Sequence, residues 1–382
     1  MFKLNQIIRK STAIKLGMLL VASTVLLGAS CKKTKTPDDT PGDPSKVFDK
    51  QGLLVNMADN IIIPSYADFK TALENLKLSF TNFKTSGSLT DFQTVKEKLH
   101  LAYLSYQRVS LFGFGPGEDA SVRFNFNVFP ANVTLINSNI SSGSYDLKTI
   151  SNIATKGFPA LDYLFYGLNQ AEADQMQLFL TDAKRSKYVN DLLNEMTTIL
   201  NSVIDTWNST YRSTFINSLG TDVGSSIGFL INQINYELDY LKNAKIGIPL
   251  GLKSGGKILP ENCEAYYSGQ SLTYAIETLG IIENMYLGKS YSGTNGKGFD
   301  DYLDHLGIQY TDGTLYNAIK NQFMSAQAKL SVLANPLSYQ IETNSQAVTT
   351  AYQELIKLLV LLKTDLPSSL GVVITYQDGD GD

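Results

Sequence analysis

YADFKTALENLKLSFTNF (residues 66–83) decides how the rest of the chain is read. Tyr66, Phe69, Leu73, Leu76, Phe80 and Phe83 follow one another at alternating steps of three and four, which gathers all six onto one face of an α-helix and leaves Lys, Glu, Asn and Thr on the other. The same rhythm returns in Phe92, Val95, Leu99, Ala102 and Tyr106, in Val189, Leu193, Met196, Leu200, Val203 and Trp207, and in Ile227, Leu230, Ile234, Leu238 and Leu241. Thr90 with Gln93 reads as a capping box opening the second of these helices. AYQELIKLLVLLK (residues 351–363) is apolar nearly all round from Leu355 onward, as a helix inside a bundle would be. VRFNFNVF (122–129) and VVITY (372–376) are the strong strand-like runs, and both are short. The pattern predicts an all-α protein.

Helices of this kind each bury one stripe, and antiparallel bundles do that best. The chain exceeds what one bundle core serves, so the expectation is two packed antiparallel helical-bundle halves, 49–219 and 220–376, with a boundary at GTDVGSS (220–226). No fixed-period repeat argues for a solenoid.

The N-terminus supplies an address. Lys3, Arg9, Lys10 and Lys15 precede an uncharged run from Leu16 to Ser30, too short for a membrane span but right for a secretory signal. LLGASC, ending at Cys31, resembles a bacterial lipoprotein cleavage site, so residues 1–30 are expected to be removed and Cys31 lipidated. Residues 31–48, rich in Lys, Asp and Pro, read as a disordered tether from the lipid to the folded body. The chain has two cysteines; with Cys31 carrying lipid, Cys263 has no partner, and the fold must stand without disulfides. Cleavage removes four of the 32 basic residues and none of the 36 acids, leaving a net charge of about −8. That balance argues against a nucleic-acid partner, which needs clustered Lys and Arg. The partner expected instead is the membrane, through lipid on Cys31.

Few residues carry obvious chemistry. There are two histidines, and neither zinc-hydrolase nor serine-hydrolase motifs occur. Glu97 and His100 are spaced as half of a di-iron motif, but helical phasing places Glu97 opposite the apolar stripe and His100 on its flank, so both read as a solvated face. GFGPGEDA (113–120) lacks the lysine of a phosphate loop, and Glu118 with Asp119 would repel phosphate; it reads as a loop ending the preceding helix. DGDGD (378–382) resembles the start of a calcium loop without its closing glutamate, so residues 377–382 read as a solvated acidic tail.

Five fragments together resemble imelysin-like proteins: NIIIPSYADF (60–69), FGFGPGEDA followed by Phe129-Pro130, GFPALDYLFYG (157–167), EAYYSGQSL (264–272), and the ending from Leu358 to Asp382. In order and spacing they cover nearly all of the chain from about residue 50. The resemblance implies a helical, two-bundle protein of the bacterial envelope, often a lipoprotein, classed as peptidase M75-like and associated with iron uptake. It also implies a Gly-x-His-x-x-Glu signature, in which an imidazole and a carboxylate share one helix face as half of a metal site. Here Gly157 keeps the glycine, Pro159 stands at the histidine position and Asp162 at the glutamate position. Proline has no donor atom, so no metal ligand set and no catalytic residue is expected and any cofactor stays unknown; Pro159 and Asp162 read better as parts of a helix start. Ser268, Gln270 and Ser271 are the polar neighbours that the resemblance places beside Asp162 at a ligand-binding cleft. The function expected is therefore a non-catalytic, lipid-anchored envelope protein, on the outer membrane, that binds a ligand or partner between its bundles. A metallopeptidase and a glycan-capturing surface lipoprotein are the alternatives.

Overall fold

The stripe at 66–83 becomes the buried face of helix α1 (Ile63–Ser86), whose six stripe residues are all 1 % exposed or less. Gly87, at φ +64, ends it in the left-handed conformation that glycine takes at least cost. The chain then reverses into α2 (Leu89–Gln107). Its cap is Ser88, whose hydroxyl accepts the Asp91 amide at 3.1 Å, two residues before the predicted Thr90. The left-handed turn at Gly87 leaves Ser88 extended, in the geometry an N-cap needs. Helices α3 (Gly157–Tyr166) and α4 (Ala183–Thr206) complete the first group, α4 and the turn that follows it burying the Val189-to-Trp207 stripe. The second group comprises α5 (Ser226–Tyr240), α6 (Ser271–Tyr286), α7 (Leu315–Ser331) and α8 (Leu337–Val360). Within the first group α1 packs on α2 and α4; within the second α6 packs on α5 and α7, and α8 on α5 and α7; α2 against α6 joins the two. Segment 220–226 leads from one group to the other, and Ser225 caps α5 by accepting the Gly228 amide at 3.1 Å.

The computed structural model describes residues 47–376 other than 169 and 312. The expected cleavage site before Cys31, the expected tether up to residue 46 and the expected acidic tail at 377–382 lie outside the described residues. The folded body takes in Phe48, one residue before the predicted boundary, because its ring stacks on Tyr302 with centroids 4.3 Å apart. No described helix is long and apolar enough to cross a membrane.

Both strand-like runs fold differently from their pattern. Val122–Phe126 is a short helix, which puts Val122 and Phe126 four residues apart on one buried face and leaves Phe124 57 % exposed. Residues 372–376 form neither helix nor strand and bond to a side chain instead: the Asn232 amide donates to the Val373 carbonyl at 3.0 Å and accepts the Thr375 amide at 2.7 Å. Among the described residues the strand pairing is a short antiparallel ladder, Gln309–Tyr310 with Gly313–Thr314. Several long helices pass through a π-helical turn, at Met57–Ile62, Trp207–Tyr211, Leu241–Gly247 and Leu361–Asp365. Each turns the downstream side chains by an extra residue relative to an unbroken α-helix. The 351–363 segment is correspondingly less uniform than predicted, with Leu355, Leu358 and Leu362 buried and Val360 53 % exposed.

Candidate functional site

Gly157 opens α3 at φ +71, and a Cβ there would lie 2.2 Å from the Phe126 carbonyl oxygen. The position therefore needs glycine for both its conformation and its contact. Phe158 stacks on Tyr103 with centroids 4.5 Å apart, and Pro159 follows in the first helical turn, where its missing N–H costs nothing. Asp162 comes halfway along α3, 3 % exposed, and bonds across to another segment rather than to its own helix start. The Tyr267 and Ser268 amides donate to its two oxygens at 3.0 and 3.2 Å. Burial raises its pKa to about 6, partly opposed by the bonds from Ser268 and Tyr267 and reinforced by the charge of Glu264. Asp162 thus clamps a turn that needs holding: Ala265 sits at φ +48 and Gly269 at φ +70.

Of the neighbours expected around Asp162, only Ser268 touches it. Gln270 accepts the Thr273 hydroxyl at 3.1 Å, and Ser271 donates to the Glu264 carbonyl, so both are spent organising the entry to α6. The space beside Asp162 is about 20 Å³, walled by Phe129, Pro130, Pro159, Cys263 and Tyr267 among others. That is room for a single water. Cys263 is buried there with its thiol pushed up to about 12 by burial, so it is protonated at neutral pH while no metal is bound. With Pro159 offering no donor and both Asp162 oxygens engaged, these residues do not fit a metal. Among the described residues no group of three or more His, Cys, Asp and Glu is arranged to hold one.

Glu97 is solvated as predicted, paired with Lys98 at 2.9 Å and 62 % exposed. His100 is not. It is half-buried against Tyr274, its Nδ1 3.1 Å from the tyrosine hydroxyl, and burial lowers its pKa. α6 packs over the flank of α2 that the phasing of an isolated helix leaves to solvent.

Two polar networks went unread in the sequence. Lys245 Nζ meets Glu264 Oε2 at 3.0 Å, Gln107 Oε1 at 2.6 Å and Thr278 Oγ1 at 2.8 Å. Gln107 and Asn127 donate in turn to Glu264 Oε1. Nearby, Arg123 pairs with Glu237, which also accepts the Ser110 hydroxyl at 2.8 Å; burial opposes the guanidinium's charge, but Glu237 holds its pKa above the usual range. A signal existed: Glu237 lies three residues after Ile234 and Lys245 seven after Leu238, so both occupy the apolar face of their stripe, where a charge needs a partner.

A far larger cavity lies elsewhere between the two helix groups. It encloses about 450 Å³, walled by Gly113, Phe114 and Glu118 of the glycine loop, by Val122 to Phe124, by Phe229, Gln233 and Tyr236 of α5, and by Tyr376.

An all-α body in two groups of helices, with a glycine-opened helix presenting a carboxylate to the joint between them, defines the class. The imelysin family (peptidase M75) matches residues 62–362, and the chain belongs to that family. In fold it is similar to a protein provisionally named iron-regulated protein A precursor from Parabacteroides distasonis ATCC 8503, with a TM-score of 0.72 at 14% identity, over 87% of this chain and 97% of that one. It is also similar to an imelysin-like protein from Psychrobacter arcticus 273-4, with a TM-score of 0.65 at 17% identity, over 86% of this chain and 97% of the other. No curated protein matches the sequence.

Proposed function

We propose that this chain is a non-catalytic lipoprotein of the bacterial cell envelope, held on the outer membrane by lipid on Cys31, that binds a small ligand or a partner between its two helix groups in the service of iron uptake. The observation that carries the non-catalytic part is the commitment of Asp162. A metallopeptidase needs a ligand set and a base to activate water, whereas here the carboxylate receives two backbone amides and its would-be partner is Pro159. The link to iron rests on the name of the Parabacteroides relative, and the anchor on the LLGASC stretch.

Zinc and iron measured in the purified wild type, Asp162→Asn and Pro159→His proteins test the first part. The expected result is no stoichiometric metal in the wild type and no chelator-sensitive hydrolysis; a tightly bound metal lost on Asp162→Asn overturns the reading in favour of the enzyme. For the anchor, Cys31→Ser is expected to leave the membrane fraction, since lipid would be the strong attachment. Retention of the Ser variant in membranes with its signal removed sinks that part.

A further inference from the structure

The 450 Å³ cleft is of the size that takes a small organic ligand, and its chemistry is specific enough to name a class. Phe114, Phe229 and Tyr236 form its floor and walls, while Phe124 and Val223, 57 % and 52 % exposed, stand at its edge. Exposed apolar side chains edging a concave apolar surface mark a binding site more often than chance placement does.

Charge then selects among ligands. Arg123 is the basic residue of the lining, and its charge is already matched by Glu237, with the guanidinium packed over the Tyr240 and Tyr236 rings at 4.2 and 5.1 Å. An anion entering the cleft would meet no unbalanced positive charge. Glu118, by contrast, is an exposed carboxylate in the wall and carries no salt bridge with a described residue, and Asp119 follows it. Gln233 donates its amide to the Gly113 carbonyl at 3.0 Å, and its Oε1 accepts nothing from a described residue. A buried acceptor without a donor is uncommon in a folded protein. Aromatic faces attract cations as well. Arg123 Nη1 also lacks a partner among the described residues, but it is one donor of a guanidinium whose charge Glu237 already matches.

We infer that the cleft between the 113–124 loop and α5 is the ligand site of this protein, and that it takes a small molecule with an aromatic or apolar body and a cationic amine, the ring lying among Phe114, Phe124, Phe229 and Tyr236 and the ammonium directed to Glu118. This inference rests on the ligand-binding reading above and moves the site away from Asp162.

The chain supplies its own reporter. Its single tryptophan, Trp207, is buried edge-on to Phe114 with centroids 6.2 Å apart, so filling the cleft perturbs the fluorescence of one defined indole. The full-length protein is titrated with 2-phenylethylamine, 2-phenylethanol and 3-phenylpropionate, which share a ring and differ in charge. The amine is expected to give a saturable change with a Kd below about 10 mM, as suits so few atoms, and to bind tighter than the alcohol and the carboxylate. Glu118→Gln is expected to weaken the amine about two- to five-fold, and Phe124→Ala about two- to ten-fold; both side chains are exposed, so neither variant threatens the fold. Glu97→Ala, remote from the cleft, is expected to bind as the wild type does. Tighter binding of the carboxylate overturns the ligand class. Binding lost in Asp162→Asn but kept in Glu118→Gln and Phe124→Ala overturns the cleft as the site while leaving the ligand-binding reading standing. A saturable signal from none of the three probes overturns the inference itself.

Discussion

The corner at Asp162 and the cleft at Phe114 both draw on the two helix groups, yet they are built in opposite ways. In the corner, both oxygens of the carboxylate have partners and the free space is about 20 Å³. The cleft encloses about 450 Å³, and Gln233 Oε1 and Arg123 Nη1 of its lining residues have no partner among the described residues. A satisfied, filled site holds a structure together, because each removed group leaves another buried and unpaired. An open, aromatic and incompletely satisfied site has affinity left to give to something else. A signature's position in the chain therefore does not by itself say what task its residues perform in the fold. Replacement of histidine by proline and occupation of the carboxylate by backbone amides leave the signature's helix with a structural task.

That contrast can be broken most decisively beside the corner, in the network built around Glu264. Lys245→Met leaves Glu264 charged and buried and is expected to lower stability by about 3 to 5 kcal/mol. Chemical denaturation checks this. A loss under about 1 kcal/mol would show that the corner is not held by paired charges.

A second measurement isolates Asp162 itself. Its pKa is about 6 in the folded protein against 3.8 in a free aspartate, so between these values the folded state holds more protons than the unfolded one. The contribution of Asp162 to stability is therefore greatest below about pH 4, falls as the pH rises through 6 and is flat above. The stability advantage of the wild type over Asp162→Asn, which has no such titration, should shrink across that window by on the order of 2–3 kcal/mol. An advantage that grows with pH would mean that the two amides outweigh burial.

The smallest expected effect belongs to the cleft. Phe124→Ala at its lip should change stability by no more than roughly 0.5 kcal/mol, as should Glu97→Ala on the solvated face of α2, read as shifts in thermal midpoint. A cleft variant that destabilises as strongly as Lys245→Met would erase the distinction between the two regions.

Much of the architecture was legible because burial and helical geometry write the same period into the sequence. All of the stripes at Tyr66–Phe83, Phe92–Tyr106, Val189–Trp207 and Ile227–Leu241 are buried, and Gly157 stands out as part of a signature even without its contact to Phe126. The failures share a cause. Val122–Phe126 and 372–376 alternate as strands do, but no described strand lies alongside to pair with them, and a ladder is not a local property. His100 looked solvated because the phasing of one helix cannot include the helix that packs against its flank.

By itself, then, the sequence determined that the four striped segments and 351–363 are helices, which face of each stripe is apolar, that the signature lacks an imidazole at Pro159, and that the family is imelysin-like. Those features are local, set by spacing and side-chain chemistry within a few turns. Only the tertiary structure decided that Asp162 spends its charge on amides 105 and 106 residues away, that Lys245 and Glu264 neutralise each other in the core, and that the glycine loop, α5 and Tyr376 enclose a cavity. Each of these depends on distant segments meeting, and π-helical turns such as Leu241–Gly247 adjust by one residue which side chains arrive.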